Sequence, residues 1–208
     1  VKGRHLGCAP GAKLASAVVI EGGRVLARIL GGMDWAIGQG VRILSMSLGV
    51  PGYEPAFEIV VEALRANGVL PVIAVGNDGP GAARSPGDYS HVLSVGAIDS
   101  GDRVASFSSS RRFARQDDPL VPDLIAPGVK VVSAVPSRAY ASMSGTSMAT
   151  PHVAGLAALL MEARPQATAL QVETAILDSC ALPPGVPPER GNRGVPDAVK
   201  ALQLIESR

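Results

Sequence analysis

A serine set among small residues is the part of this sequence whose residue types most directly suggest chemistry. Ser144 leads into Gly145-Thr146-Ser147-Met148-Ala149-Thr150-Pro151-His152-Val153-Ala154-Gly155, a glycine followed by a helix-like run. A serine at a helix mouth faces unsatisfied backbone N–H groups and the positive end of the helix dipole. Its hydroxyl then stands beside donors able to hold a developing oxyanion, so nucleophilic acyl transfer is one chemistry the segment allows. Gly145, Ala149 and Gly155 leave room for close approach of backbone and substrate, and Pro151 is placed in the first turn, where its missing N–H costs little. Two other uses of the same position stand beside this one: an N-cap serine on a buried helix, or a helix mouth that holds an anion.

Stepping outward, the spacing of apolar residues predicts what positions this serine. Residues 14–20 end in Val18, Val19 and Ile20 before Gly22-Gly23, which predicts a strand. Leu26, Ile29, Leu30, Met33 and Ile37 share one helical face, weakened by Gly31-Gly32 at roughly 1 kcal/mol each relative to alanine. Residues 41–48 predict a second strand. Phe57, Val60, Val61 and Leu64 predict a helix that stops at Asn67-Gly68. Strands follow at 72–75 and 91–97, then short strands and turns to about 133, then helices at 147–163, 168–180 and 196–205. Thr168 and Gln171 form a capping-box pair. Residues 183–193 are the most linker-like. The alternation of strand and helix predicts an α/β fold with a mostly parallel sheet flanked by helices.

Composition narrows the function. The 208 residues suit one domain or a large piece of one. Lys and Arg number 19 against 18 Asp and Glu, so no basic excess exists to hold a nucleic acid backbone. Apolar residues make up 47%, enough for a sizeable core, while 3% aromatics leave few stacking platforms. The 24 glycines and 17 prolines predict many turns. No run reaches the roughly 18 apolar residues that would cross a bilayer. Cys8 and Cys180 lack zinc-site spacing; two buried free thiols are expected, with a disulfide between them as the alternative. Starting at Val1 with no basic-then-apolar leader, the chain is expected to be a piece of a longer protein.

The segment around Ser147 resembles the nucleophile motif of the subtilisin-like serine proteases (subtilases, peptidase S8). Five further stretches resemble that family in the same order: Gly7-Cys8-Ala9-Pro10-Gly11-Ala12-Lys13-Leu14, Ser45-Met46-Ser47-Leu48-Gly49, Ala74-Val75-Gly76-Asn77, Ser85-Pro86-Gly87 with Val92 to Ala97, and Ala126-Pro127-Gly128. The resemblance runs from Gly7 to Leu204 and implies a subtilisin-like fold. It also implies that Ser147 is the nucleophile and that Asn77, otherwise a turn residue before Asp78-Gly79-Pro80, offers its amide to the oxyanion. Ser47, Leu48 and Gly49 would present an open strand edge to an extended peptide. Ala74, Val75 and Gly76 would line the pocket for the residue before the cleaved bond. Arg84, two before Pro86, would lie at that pocket's floor. There a guanidinium favours an acidic substrate side chain, unless it points to solvent. A cis peptide at Pro86 is implied as well.

Two parts of the family's machinery have no counterpart here. In that family an Asp-Ser/Thr-Gly segment and a His-Gly-Thr-His segment precede the stretch matched by Gly7, and neither is in this sequence. His5 lacks the motif, His91 opens a strand, and His152 belongs to the serine helix, where its equivalent is structural. Asp99-Ser100-Gly101 spells the acid motif but follows a strand, in the manner of a turn. The chain therefore reads as one partial subtilisin-like domain, 1–208, incomplete at its N-terminal side. The resemblance places the acid's strand in the sheet between 14–20 and 41–48, a slot to be filled by the missing segment or by another copy. A peptide or protein substrate, no membrane partner and secretion are expected. No cofactor is expected; calcium is frequent in the family, but no carboxylate cluster here defines a site. Alone, the chain is expected not to cleave peptides, since Ser147 without its base is an ordinary hydroxyl. The alternative is a non-catalytic, subtilase-like peptide-binding or interaction module.

Overall fold

In the computed structural model, which describes residues 7–116, 118–137 and 139–207, the apolar spacings become elements in chain order. Leu26, Ile29, Leu30, Met33 and Ile37 lie on α1 (Val25–Gly38), which leads to β1 (Ile43–Met46) and the short β2 (Val50–Pro51). Phe57, Val61 and Leu64 form the buried stripe of α2 (Ala56–Ala66). The chain leaves α2 through Asn67 and Gly68, whose φ of 73° suits a residue without a Cβ. Next come β3 (Leu70–Ala74), β4 (Arg84–Ser85), β5 (Leu93–Ile98), the pair β6 (Arg111–Arg112) and β7 (Leu120–Val121), and β8 (Leu124–Pro127). The hairpin β9 (Val131–Val135) and β10 (Ala139–Met143) precedes α3 (Thr146–Ala163). Then follow α4 (Ala169–Ser179), α5 (Pro188–Gly191) and α6 (Ala198–Glu206). Thr168 caps α4 through the capping box that its sequence predicts.

The main sheet runs β1-β3-β5-β8, all parallel. Side chains alternate across it, so Val72, Leu93, Val95 and Leu124 meet α3, α4 and α6 on one face. Ile73 and Met46 meet Phe57, Val61 and Leu64 of α2 and Ile29 and Met33 of α1 on the other. Strands buried on both faces tend to be apolar runs: β3 is one, and β5 is buried at every position although Ser94 and Gly96 interrupt its apolar residues. No helix among the described residues is long and apolar enough to cross a membrane.

Several sequence expectations are corrected. Residues 14–20 form no strand: they are unpaired, with Leu14, Val18 and Ile20 exposed by 93%, 73% and 62%. β1 is the outer strand of the sheet and does not pair with them, so their backbone finds no ladder. Val19 packs against the core, its Cγ1 lying 2.5 Å and Ala17 Cβ 3.6 Å from where a Cβ on residue 32 would sit, which is why α1 has a glycine at that position. Residues 183–193 are no linker. Arg190 of α5 donates to the carbonyls of Ser108 and Ala105 and to Ser110 Oγ, pinning that loop. Both cysteines are free, but only Cys180 is sheltered, and burial pushes its thiol up to about 12. Cys8 is exposed, and the space beside Gly155 admits Cys8 Cβ instead of substrate (2.6 Å from an added Cβ). Pro151 is the sixth residue of α3, not in its first turn. His5 lies outside the described residues.

Asp123, just before β8, is almost fully buried. Its Oδ2 accepts from Ser94 N at 2.6 Å, while Oδ1 has no partner. Burial first, then the charge of Asp118, pushes this carboxyl well above the usual carboxylate range. The native state therefore keeps a proton that the unfolded chain releases, and stability is lost as pH rises past the ordinary Asp range. Asp123→Asn removes that dependence. The variant is expected to gain melting temperature over the parent at pH 8 and little or none at pH 4, checked by thermal melts at both.

Candidate active site

The site assembles at the carboxyl ends of β1 and β3, where an open parallel sheet forms its crevice. Beyond β1 the chain continues as residues 47–49, β3 ends at Ala74 and continues as Val75 and Gly76, and α3 points its N-terminus at both extensions. Asn77 makes the join. Its Oδ1 accepts from Thr146 N at 2.9 Å and from Thr146 Oγ1 at 3.0 Å, so it caps α3 from outside the helix. With Oδ1 so occupied, Nδ2 lies 3.5 Å from where a Cβ on Gly145 would sit, in front of the first turn. The N–H of Ser147 belongs to that turn and has no carbonyl partner within the helix. A carboxamide donor and a main-chain donor thus face the same end of α3, beside the Ser147 hydroxyl.

Ser147 is tied to Ser47 twice. Ser147 Oγ donates to the Ser47 carbonyl at 3.1 Å, and Ser47 Oγ donates to the Ser147 carbonyl at 2.9 Å. The second bond has a cause in the sequence. Residue 151 would normally bond the carbonyl four positions back, but it is proline and has no N–H. The Ser47 hydroxyl fills the vacancy. The first bond ends on a carbonyl, which takes up no proton, so in this arrangement Ser147 remains an ordinary hydroxyl.

Residues 47–49 leave β1 without pairing in a strand, and Ser47 is exposed. Gly49 rests on β4, where an added Cβ would come within 2.9 Å of Ser85 O. Ala74, Val75 and Gly76 are buried, Gly76 at φ 116°, and the Gly76 carbonyl accepts from Ser109 N. Arg84 neither stands free in the crevice nor points away from it. Its Nε and Nη2 donate to Asp78 Oδ2 and Oδ1 at 2.6 and 2.8 Å, and its Nη1 donates to Gly49 O at 3.3 Å. The pair pulls the Asp78 carboxyl below, and holds the Arg84 guanidinium above, their usual ranges. The Ser85–Pro86 peptide is cis.

The other expected residues fall as follows. His152 Nδ1 contacts the Met148 carbonyl of its own helix at 2.8 Å, a structural arrangement. His91 is exposed. Asp99 closes a turn, its Oδ1 accepting from Gly101 N and Arg103 N. Sequence reasoning missed Thr146 as the partner of Asn77 and Asp78 as the partner of Arg84. The second was signalled: Gly79-Pro80-Gly81 folds the chain back so that residues six apart can meet. Among the described residues no group of three or more His, Cys, Asp or Glu side chains is placed to hold a metal ion.

A serine and a carboxamide thus meet at a helix mouth, over the carboxyl ends of a parallel sheet in an α/β domain. Comparison with known proteins narrows the class. The model of the subtilase family, peptidase S8, matches residues 2–199, and the chain belongs to that family. It is 38% identical over 169 residues to Subtilisin Savinase of Lederbergia lenta, covering 80% of this chain and 60% of that protein. With Subtilisin E of Bacillus subtilis strain 168 it shares 37% over 173 residues, covering 80% and 43%. Among solved structures, the patellamide maturation protease PatA superposes with a TM-score of 0.75 at 28% identity, covering 86% of this chain and 68% of that one. The prenylagaramide maturation protease PagA superposes with a TM-score of 0.74 at 25% identity, covering 86% and 67%. The chain thus spans about three fifths or less of the length of these two subtilisins.

The double role of Asn77 separates stability from chemistry. Asn77→Ala removes both bonds to buried Thr146 and is expected to cost about 1–2 kcal/mol. Asn77→Asp keeps an acceptor for Thr146 and loses the donor, so it is expected to melt closer to the parent. Thermal melts of the two variants at neutral pH check the order.

Proposed function

We propose that this chain is the nucleophile-bearing portion of a subtilisin-like serine endopeptidase. Ser147 attacks the scissile carbonyl, and the Asn77 amide with the Ser147 N–H holds the resulting oxyanion. Collapse of that intermediate breaks the C–N bond, the departing amine takes the proton that the base received from Ser147, and water then hydrolyses the acyl-enzyme. Residues 47–49 take the extended substrate as an added strand. The observation that carries this reading is the Asn77–Thr146 pair of bonds, which sets a carboxamide beside a serine 70 positions away. A pure binding module requires neither group. In subtilisin itself, a member of this family, loss of the oxyanion asparagine costs about 2.7–4 kcal/mol of transition-state stabilisation, and a loss of that order is expected for Asn77.

The base and acid of the triad are supplied by a segment outside this sequence. Two features support that assignment: among the described residues the outer edge of β1 has no ladder partner, and residues 14–20 belong to no strand. An added strand would satisfy that edge. That strand comes from the same protein or from another copy. A peptide or protein substrate belongs to this reading, supported by the protease names of the relatives, and an extracellular setting is proposed with it.

A fluorophosphonate probe tests the assignment. With the segment carrying Asp and His supplied, Ser147 is expected to label and Ser147→Ala not to. The chain alone is expected to show no labelling, and its peptidase rate to lie on the order of 10⁶ below the completed enzyme, the size of the triad's effect in subtilisin itself. Absence of labelling in the completed protein would favour the binding module.

A further inference from the structure

The crevice beside Ser147 has a built-in stopper. Met46 and Ile73 are register partners in parallel strands, so residues 47–49 and 74–76 start side by side and part around the end of α3. Their gap opens beside the Ser147 hydroxyl, bonded to Ser47, and beside Asn77. A substrate residue whose carbonyl carbon meets Ser147 Oγ must send its side chain into that gap or out to solvent.

Arg84 crosses the gap from β4. Its main chain is fixed by pairing with β2 and by donation from Arg84 N to the Val75 carbonyl at 3.0 Å. Its Cβ lies 3.0 Å from where a Cβ on Gly49 would sit, and its Cγ and Cδ lie 3.0 and 3.2 Å from the same point on Gly76. Both glycines are therefore needed to let the stem through. At the far end the guanidinium grips both Asp78 oxygens and the Gly49 carbonyl. An exposed ion pair is weak by itself, but this one is bidentate on a stem held by two walls.

We propose that the Arg84–Asp78 pair closes the pocket for the residue before the cleaved bond, so that this enzyme selects small uncharged side chains there. The proposal deepens the peptidase reading and rests on it. Aromatic and long aliphatic side chains meet the Arg84 stem. Lysine and arginine meet a guanidinium. Aspartate and glutamate meet a cation whose fork is already filled by Asp78, so the acidic preference that Arg84 suggests in isolation is cancelled by its neighbour.

The test uses the completed protein, with the segment that supplies Asp and His, and peptides that differ only in Ala, Phe, Glu or Lys before the cleaved bond. The parent is expected to favour Ala over Phe in kcat/KM by about tenfold or more, the scale on which pocket fit discriminates. Arg84→Gly is expected to raise the Phe-to-Ala ratio about tenfold. Asp78→Asn is expected to release the guanidinium and raise the Glu-to-Ala ratio, an effect that shrinks with added salt. Affinities of the same uncleaved peptides for Ser147→Ala read the pocket without any chemistry and are expected in the same order. A parent that cleaves and binds Phe or Glu peptides as well as Ala peptides overturns the proposal, as does Arg84→Gly with unchanged ratios. If peptides bind in the expected order but the parent neither cleaves nor takes up fluorophosphonate, the nucleophile reading fails and the pocket assignment stands.

Discussion

The carboxamide of Asn77 joins two parts of the molecule that the chain separates by 69 residues, and the site exists only where they meet. One oxygen receives both donors of Thr146, which fixes the end of α3 against the end of β3. Neither element would hold this position alone. The helix mouth would have lacked a partner for its first amide, and the Asn77 side chain would have had little to orient it. Because Oδ1 is occupied, the amide's nitrogen has a defined direction, in front of the first turn of the helix that the same group stabilises.

Ser47 repeats this economy on the other side of the serine. Pro151 deprives the Ser147 carbonyl of its helical donor, and the Ser47 hydroxyl replaces it from the segment after β1. Together the two contacts clamp the first turn of α3 between the extensions of neighbouring parallel strands. The register of β1 on β3 thereby sets the width of the crevice, and Arg84 sets its depth. The features that define the pocket are main-chain pairings and glycine positions more than side-chain shape.

Much of this was legible in the sequence, for identifiable reasons. β3 was legible because it is an unbroken apolar run, β5 because apolar residues still dominate it around Ser94, and α2 because Phe57, Val61 and Leu64 repeat at helical spacing before Asn67-Gly68. The family was legible through the motifs around Ser147 and Asn77. Residues 14–20 misled because their β-branched, apolar composition describes a strand, while being one also requires an edge to pair with. Residues 183–193 misled because prolines and glycines suggest a loose connection, whereas the buried anchoring of Arg190 comes from contacts 80 or more positions away. Asp78 stayed hidden for a similar reason: composition shows a turn, and only the fold shows that the turn returns an arginine to it.

The segment before α1 has a practical consequence. Residues 12–20 carry apolar side chains in water, no element contains them, and Val19 with Ala17 gives them a small foothold in the notch at Gly32. A stretch held that loosely, with its peptide groups open, can be drawn into the extended shape that proteolytic enzymes grip. Limited digestion would nick the molecule there first, leaving the helix–sheet body intact.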